Sequence, residues 1–185
     1  MVFTPRLVKF SDLSDQLDGV FIALHGRPGE DGTMQAMLEE IGLYYNGSGI
    51  ESSQITINKF DTLSRLREAG MSVTGQWLAT VAEFNEGEAA FYDEVEETFG
   101  YPLIAQPVDD GCSSAVKLIK NREELTAYCQ LTFTPVTTDT DACRRLMKLS
   151  AIDEWPLGKQ SILFEFAIGP RDAVKFLEVT GGMLT

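Results

Sequence analysis

Residues 18–42 read DGVFIALHGRPGEDGTMQAMLEEIG, and this segment indicates an α/β fold. The apolar run over 18–24 breaks at His25, a pattern typical of a buried strand that ends in a loop. Over Thr33–Ile41 the apolar residues recur at i, i+3, i+4 and i+7, which predicts a helix that stops at Gly42. A strand, a glycine-rich loop and a helix therefore follow one another here.

The remainder of the chain alternates helix and strand patterns. The predicted elements are one or two helices over 51–69 closed by Gly70, a strand over 71–78, a helix over 86–99, a strand over 101–106, a strand over 115–119 and a helix capped by Asn121. The loop after Pro107 joins two of these strands, so it is expected at a hairpin-like bend. Toward the end of the chain, 161–168 and 173–184 are strand-like runs.

Composition excludes several classes of protein. The 185 residues include 44% hydrophobic and 23% charged residues, which is typical of a globular protein. A net charge of -13 opposes binding to nucleic acid. No window approaches the roughly 20 apolar residues of a membrane span, and no signal peptide is recognisable. The three cysteines have no metal-binding spacing. We therefore expect a cytoplasmic protein without nucleic-acid or membrane partners.

Two groups of residues are candidates for chemistry. His25, the single histidine, follows the first strand, where it either faces a ligand or is a structural hydrogen-bonding residue. The loop Gly111, Cys112, Ser113 and Ser114 offers backbone N–H groups and hydroxyls to a phosphate, or is an ordinary turn. It is not a Walker A loop, because no lysine follows it. Lys59 begins a predicted helix, where a lysine is favourable beside a bound anion but is also common as a solvated residue.

Five segments resemble the D-alanine:D-alanine ligase family of ATP-grasp enzymes. Residues 25–35, HGRPGEDGTMQ, resemble the family's H-G-x-x-G-E-D-G-x-x-Q, and residues 38–49, LEEIGLYYNGSG, resemble its L-E-x-x-G-I-P-Y-T-G-S-G. Asn58-Lys59 matches the family's D-K. Residues 106–116, QPVDDGCSSAV, are similar to K-P-x-x-x-G-S-S-x-G-V, and 165–172, EFAIGPRD, are similar to E-E-F-I-x-G-R-E.

The resemblance implies an α/β fold with α+β elements, arranged as in the ATP-grasp enzymes. It places the end of an N-terminal Rossmann-like substrate domain at 1–55 and the central ATP-grasp subdomain at 56–130. Residues 131–160 are interpreted as an insertion or mobile arm, with a short helix around 142–149, and 161–185 as the start of the C-terminal subdomain. The resemblance covers nearly the whole chain but only the middle portion of the family.

The resemblance also implies a function. It is the ATP-dependent joining of two D-alanines through an acyl phosphate, in peptidoglycan precursor synthesis. The implied catalytic residues are His25, Cys112 and Ser113. The implied ATP-binding residues are Lys59, Gln106, Gly111, Ser113, Ser114, Glu165 and Asp172. The Mg²⁺ ligands of the family are expected outside this chain, which we therefore expect to be inactive alone. A homodimer is a further expectation.

Two side chains depart from the family pattern. Gln106 stands where the family has a lysine that contacts phosphate, and an amide donates a hydrogen bond without bringing a positive charge. Cys112 replaces the first serine of the loop and is a weaker hydrogen-bonding group. These departures leave open an alternative, a non-catalytic ATP-grasp relative that binds a nucleotide or a partner protein. A domain that inherits only the scaffold is a third possibility.

Overall fold

The structure is a computed structural model that describes residues 7–111, 114–134, 140–150, 155–169 and 177. The chain divides into two compact units. The first unit comprises Met1–Val73 and Pro107–Ser114, and the second comprises Thr74–Gln106 and Ala115–Thr185. None of the described helices combines the length and the apolar character that a membrane span requires.

The first unit consists of helices beside a small parallel sheet. Strands β1 (Gly19–Val20) and β2 (Tyr44–Tyr45) pair in parallel. Its helices are α1 (Thr33–Glu40), α2 (Ile50–Ile57) and α3 (Lys59–Glu68), preceded by a short 3-10 helix at Phe10–Asp12. The helix predicted from the apolar spacing is confirmed, and the one or two helices predicted before Gly70 are two in the structure.

The break between α2 and α3 has a local cause. The side chain of Asn58 accepts a hydrogen bond from the backbone N–H of Asp61 at 3.1 Å, so Asn58 is the N-cap of α3. Gly70 follows α3 with a φ of 80°, a conformation that other residues rarely adopt. Short-range sequence signals therefore set both ends of this helix.

The prediction of a buried strand over 18–24 is wrong. Only Gly19 and Val20 form strand pairs, and the side chain of Phe21 is 78% exposed. A strand is buried on both faces when helices cover it and other strands flank it. In the described residues β1 pairs with β2 alone, which leaves the apolar side chains after Val20 open.

The second unit contains an antiparallel four-stranded sheet in the order β3–β6–β4–β5. The strands are β3 (Gln76–Thr80), β4 (Leu103–Gln106), β5 (Lys117–Ile119) and β6 (Ser161–Phe166). The predicted antiparallel relation of the strands on either side of the 107–114 loop is confirmed. The strand expected over 71–78 instead begins at Gln76 and ends at Thr80, where a capping box with Glu83 begins the next helix.

Helices and aromatic residues form the core of the second unit. Its helices are α4 (Val81–Glu86), α5 (Glu88–Phe99), α6 (Arg122–Phe133) and α7 (Asp141–Leu146). The predicted cap of α6 is confirmed, because Asn121 Oδ1 accepts from the Glu124 N–H at 2.9 Å. Aromatic rings pack against one another in this core. Phe84 meets Phe91 edge to face with 5.5 Å between ring centroids, and Phe91 meets Phe164 of β6 in a tilted arrangement at 6.2 Å.

The range interpreted as an insertion or mobile arm, 131–160, begins within α6. Leu131 and Phe133 on this helix are buried in the core, as is Trp155. The strand-like run at 173–184 lies outside the described residues except for Leu177. The assignment of 1–55, 56–130, 131–160 and 161–185 to ligase subdomains stays a prediction.

Candidate functional site

The first unit contains a cavity of about 520 Å³ between the loops and helices that carry the motif residues. The charged residues of its lining are Glu30, Lys59 and Asp110, and Gly111 also contributes. The uncharged polar residues of the lining are Gln35, Asn46, Ser48, Ser53 and Thr56. Segments distant in the sequence therefore meet around one cavity.

His25 lies beside Gly111 of the glycine loop. Its Nε2 atom is 3.5 Å from the position that a Cβ atom would occupy on Gly111. Its Nδ1 atom lies 3.5 Å from Glu30 Oε2, and the imidazole is 64% exposed. The predicted residues His25 and Gly111 are thus brought together, with Glu30 as a neighbour that the prediction did not include.

Two glycines of the 25–35 motif are required by close packing. A Cβ atom on Gly29 would lie 2.4 Å from Leu24 Cβ and 2.9 Å from Leu24 O. Gly32 has a φ of 86°, and a Cβ atom there would lie 3.0 Å from the carbonyl oxygen of Ile50. These distances are far below ordinary contact, so any larger residue would displace backbone. The glycines let the loop fold tightly against its neighbours.

The acidic residues of the same motif hold the loop through backbone hydrogen bonds. Glu30 Oε2 accepts from the Gly26 N–H at 2.7 Å, and Asp31 Oδ1 accepts from the Thr33 N–H at 3.0 Å. The Thr33 hydrogen bonds and, to a lesser extent, Arg27 lower the pKa of Asp31. Gln35 Nε2 donates to the carbonyl oxygen of Gly29 at 2.8 Å. These bonds explain why the motif needs acids and an amide at fixed spacing.

Lys59 is bound to the loop that follows Pro107. Its ammonium donates to the carbonyl oxygen of Pro107 at 3.3 Å and also to that of Asp110. Its backbone N–H donates to the Val108 carbonyl oxygen at 2.8 Å. Lys59 therefore holds residues 107–110, which lead into the predicted phosphate loop. Its prediction as a phosphate contact stays a prediction.

Arg27 links the two motif loops and was not identified from the sequence. Its guanidinium donates to Asp31 Oδ2 at 3.1 Å and to Asp109 Oδ2 at 2.9 Å. The hydrogen bond that Arg27 donates to Asp109 is the main reason that the pKa of Arg27 is raised. Arg27 occupies a position that the family motif leaves unspecified, so the motif did not predict this contact.

The end of the glycine loop is consistent with a turn. The Ser114 N–H donates to the Gly111 carbonyl oxygen at 3.0 Å, a bond that spans three residues as in a β-turn. Cys112 and Ser113 lie outside the described residues, and so does Asp172. Their predicted roles stay predictions.

The second unit brings together two other predicted ATP-binding residues, Gln106 and Glu165. Glu165 pairs with Ile104 across β4 and β6, which makes Gln106 its diagonal neighbour on the same face. The amide of Gln106 donates a hydrogen bond to the carboxylate of Glu165, which is 8% exposed. The residue that departs from the family pattern thus has a definite partner, a buried carboxylate.

The described residues do not fit a magnesium site. Among them, no group of three or more His, Cys, Asp or Glu residues is placed to hold a metal ion. The expectation that the metal ligands lie elsewhere stays a prediction.

Comparison with known proteins identifies relatives for most of the chain. Residues 3–48 match the family model described as D-ala D-ala ligase N-terminus. The D-alanine–D-alanine ligase of Geobacter sulfurreducens is 38% identical over 117 residues, which are 63% of this chain and 35% of that protein. The chain thus spans about a third of the length of this curated relative.

Solved structures show the same fold. The crystal structure of D-alanine–D-alanine ligase from Bacillus anthracis matches with a TM-score of 0.59 and 26% identity, over 85% of this chain and 42% of that one. A structure of the B. anthracis ligase complexed with ATP matches with a TM-score of 0.57 and 27% identity, over 88% and 46% of the two chains. The ATP-grasp-like α/β fold expected from the motifs is confirmed.

Proposed function

Since this chain is related to part of the D-alanine–D-alanine ligase family, we propose that it supplies amino-acid-binding and nucleotide-binding residues of an ATP-dependent carboxylate–amine ligase. The reaction phosphorylates the carboxylate of one D-alanine with ATP, and the amine of a second D-alanine then displaces the phosphate. The product, a D-alanyl dipeptide, is a precursor of peptidoglycan. We assign the protein to the cytoplasm, where ATP is available, and expect a homodimer.

The observation that carries this proposal is the cavity in the first unit. The motif residues meet around it, although they are scattered from Ile22 to Gly111 in the sequence. Its volume of about 520 Å³ lies within the range of small-molecule sites, about 300–1,000 Å³. We assign this cavity to the amino acid, with His25 at its edge and Cys112 and Ser113 in the adjoining loop.

The chain's own residues contribute chiefly by positioning. Lys59 holds the carbonyl groups of Pro107 and Asp110, so the segment that leads into the glycine loop is in place before a ligand arrives. The backbone N–H group of Gly111 and the hydroxyls of Ser113 and Ser114 would then contact phosphate oxygens. In the second unit, the carboxylate of Glu165 suits the N–H and O–H donors of adenine and ribose rather than a phosphate. We assign Glu165 and Asp172 to that part of ATP, and Gln106 to the phosphate contact that a lysine makes in the family.

The test of this function measures binding and turnover separately. ATP and D-alanine are titrated into the chain by calorimetry, and the full-length gene product is assayed for phosphate release that depends on both. We expect D-alanine binding by the chain and ATP-dependent dipeptide formation by the full-length product. A full-length product that consumes no ATP with D-alanine would refute the assignment.

The pairing of Gln106 with Glu165 favours a second candidate, a non-catalytic relative that binds a nucleotide or a partner protein. The pair brings no positive charge to the place where the family has a lysine. Gln106→Lys separates the candidates, since a ligase should gain ATP affinity and a protein-binding scaffold should not. Absence of nucleotide binding by the intact protein at millimolar ATP would remove the nucleotide-binding form of this candidate.

A further inference from the structure

Residues 25–27 and 109–111 lie side by side in the first unit. The Nη2 atom of Arg27 donates a hydrogen bond to Asp109 Oδ2 at 2.9 Å. Two positions away on each segment, a Cβ atom on Gly111 would lie 3.5 Å from His25 Nε2. The distance between His25 and Gly111 therefore depends on what holds these two segments together.

The guanidinium of Arg27 is also bound to a second carboxylate, which is held firmly. Its Nη1 atom donates to Asp31 Oδ2 at 3.1 Å, and the Asp31 side chain is only 10% exposed. Asp31 Oδ1 in turn accepts from the Thr33 N–H, at the start of α1. Because a guanidinium is planar, its two bound nitrogen atoms have a fixed relative direction. Arg27 therefore relates the position of Asp109 to the first turn of α1.

Lys59 holds the same segment by its backbone. The ammonium and the backbone N–H of Lys59 bind carbonyl oxygens within residues 107–110. These bonds join the segment to the start of α3, whereas Arg27 joins it to the loop that carries His25. Attachment to two different elements restricts the direction in which the chain enters the glycine loop at Gly111.

The contact between Arg27 and Asp109 is expected to matter more for turnover than for folding. The Arg27 side chain is 54% exposed, and ion pairs at such positions contribute little to the free energy of unfolding. Reaction rates depend more steeply on position, since a misplacement of about 1 Å can cost roughly a hundredfold in rate. A contact that is weak in energy can therefore be important when it sets a distance within a site.

We propose that Arg27 is a positioning residue, which acts through Asp109 to hold the start of the glycine loop against His25. The inference rests on the proposed function, in which the glycine loop contacts phosphate and His25 lies at the edge of the amino-acid cavity. Arg27 itself touches neither ligand. It sets the distance between the part of the site that binds phosphate and the part that binds the amino acid.

The first test follows the distance between the two segments in the chain without a ligand. His25 is the only histidine in the sequence, so the NMR signal of its Hε1 proton is unambiguous. We expect a nuclear Overhauser effect between His25 Hε1 and an Hα proton of Gly111 in the unaltered chain. Arg27→Ala and Asp109→Ala should each abolish it, because either change removes the bridge between the segments.

The second test measures kcat and KM of the full-length gene product. Arg27→Ala should lower kcat for dipeptide formation about tenfold, part of the roughly hundredfold cost of a 1 Å misplacement, with smaller changes in KM. Asp109→Ala should reproduce this loss, and the double variant should lose no more, because both changes break the same bridge. A direct contact of Arg27 with phosphate predicts the opposite for Asp109→Ala, since removal of the carboxylate would free the guanidinium and lower KM for ATP.

Arg65→Ala is the matched control. Arg65 is an exposed arginine of the same unit that pairs with Glu68 at 3.4 Å within α3. Its removal deletes an ion pair of similar exposure, and it should change neither the Overhauser effect nor kcat.

The outcomes distinguish this proposal from the ligase function. No Overhauser effect in the unaltered chain, an unchanged effect in folded Arg27→Ala, or full kcat in that variant overturns the positioning role. Asp109→Ala provides the same readouts if Arg27→Ala does not fold. A full-length product that consumes no ATP with D-alanine refutes the ligase assignment, and the Overhauser effect still decides whether Arg27 holds the loop. Dipeptide formation together with an unchanged effect in Arg27→Ala supports the ligase and overturns the positioning role alone.

Discussion

Replacing Gly29 with alanine tests whether close packing of the motif loop stabilises the first unit. The new Cβ atom would lie 2.4 Å from Leu24 Cβ, whereas nonbonded carbon atoms prefer about 3.5–4.0 Å. It would also lie 2.9 Å from the carbonyl oxygen of Leu24. Both obstructing atoms belong to the backbone or are attached directly to it, so a side-chain rotation cannot relieve the overlap.

The expected loss follows from these distances. Overpacking of this kind costs typically about 1–3 kcal/mol, and an obstacle fixed to the backbone places Gly29→Ala at the upper end. The loss of backbone freedom in the unfolded chain offsets about 0.4–1 kcal/mol. We therefore expect the first unit to lose about 2 kcal/mol of unfolding free energy. The control is Gly49→Ala, because Gly49 has a φ of -71° and a Cβ atom there would meet only the Tyr45 hydroxyl at 3.9 Å.

The assay must report on the first unit. Both tryptophans, Trp77 and Trp155, lie in the second unit, so their fluorescence does not follow unfolding of the first. Amide hydrogen exchange of α1 measures the required free energy, and about 2 kcal/mol corresponds to roughly a thirtyfold faster exchange. Exchange in Gly29→Ala no faster than in Gly49→Ala would refute the packing argument.

Three further predictions concern charges. The first is a double-mutant cycle of Arg27→Ala and Asp109→Ala, measured by urea unfolding of the first unit. Because the Arg27 side chain is 54% exposed, we expect a coupling free energy of only about 0.5–1 kcal/mol between the two residues. A coupling free energy of zero would contradict a stabilising contact. Gln106→Lys should increase ATP affinity in calorimetry if the protein is a ligase, with unchanged affinity favouring the scaffold alternative. Hydrogen bonding to Thr33 lowers the pKa of Asp31 below its ordinary value of 3.8. The ionised Asp31 carboxylate therefore stabilises the folded state fully above pH 3.8, and this contribution is lost as the pH falls through the pKa of the folded state. Asp31→Asn should therefore flatten the acid limb of a pH–stability curve, and an unchanged limb contradicts the assignment.

Much of the fold could be predicted because its signals are local. The helix over Thr33–Glu40 follows from apolar spacing, and Asn58 and Asn121 mark helix starts through hydrogen bonds to residues three positions ahead. The spacing of the glycines and acids in residues 25–35 also predicted a defined loop, because the hydrogen bonds that hold this loop mostly join residues close in sequence. Such interactions repeat wherever the same local sequence occurs.

Other features depended on partners distant in the sequence. The apolar run after Val20 is largely exposed because burial depends on which elements cover a strand. The hydrophobic pattern of the strand does not contain that information. Lys59 lies at the start of a helix, as expected, but its hydrogen bonds to Pro107 and Asp110 exist only because the fold brings residues 107–110 next to it. Gln106 and Glu165 were predicted individually, and their pairing required the register of β4 and β6.

By itself, the sequence determined the α/β class, individual helix ends such as those marked by Asn58, Gly70 and Asn121, and the relation to the ligases, since each is encoded in residue order over short spans. Only the tertiary structure decided which of these residues contact one another. The link between Arg27 and Asp109 and the pairing of Gln106 with Glu165 are of this kind. Both depend on chain segments that lie far apart in sequence and are brought together only by packing.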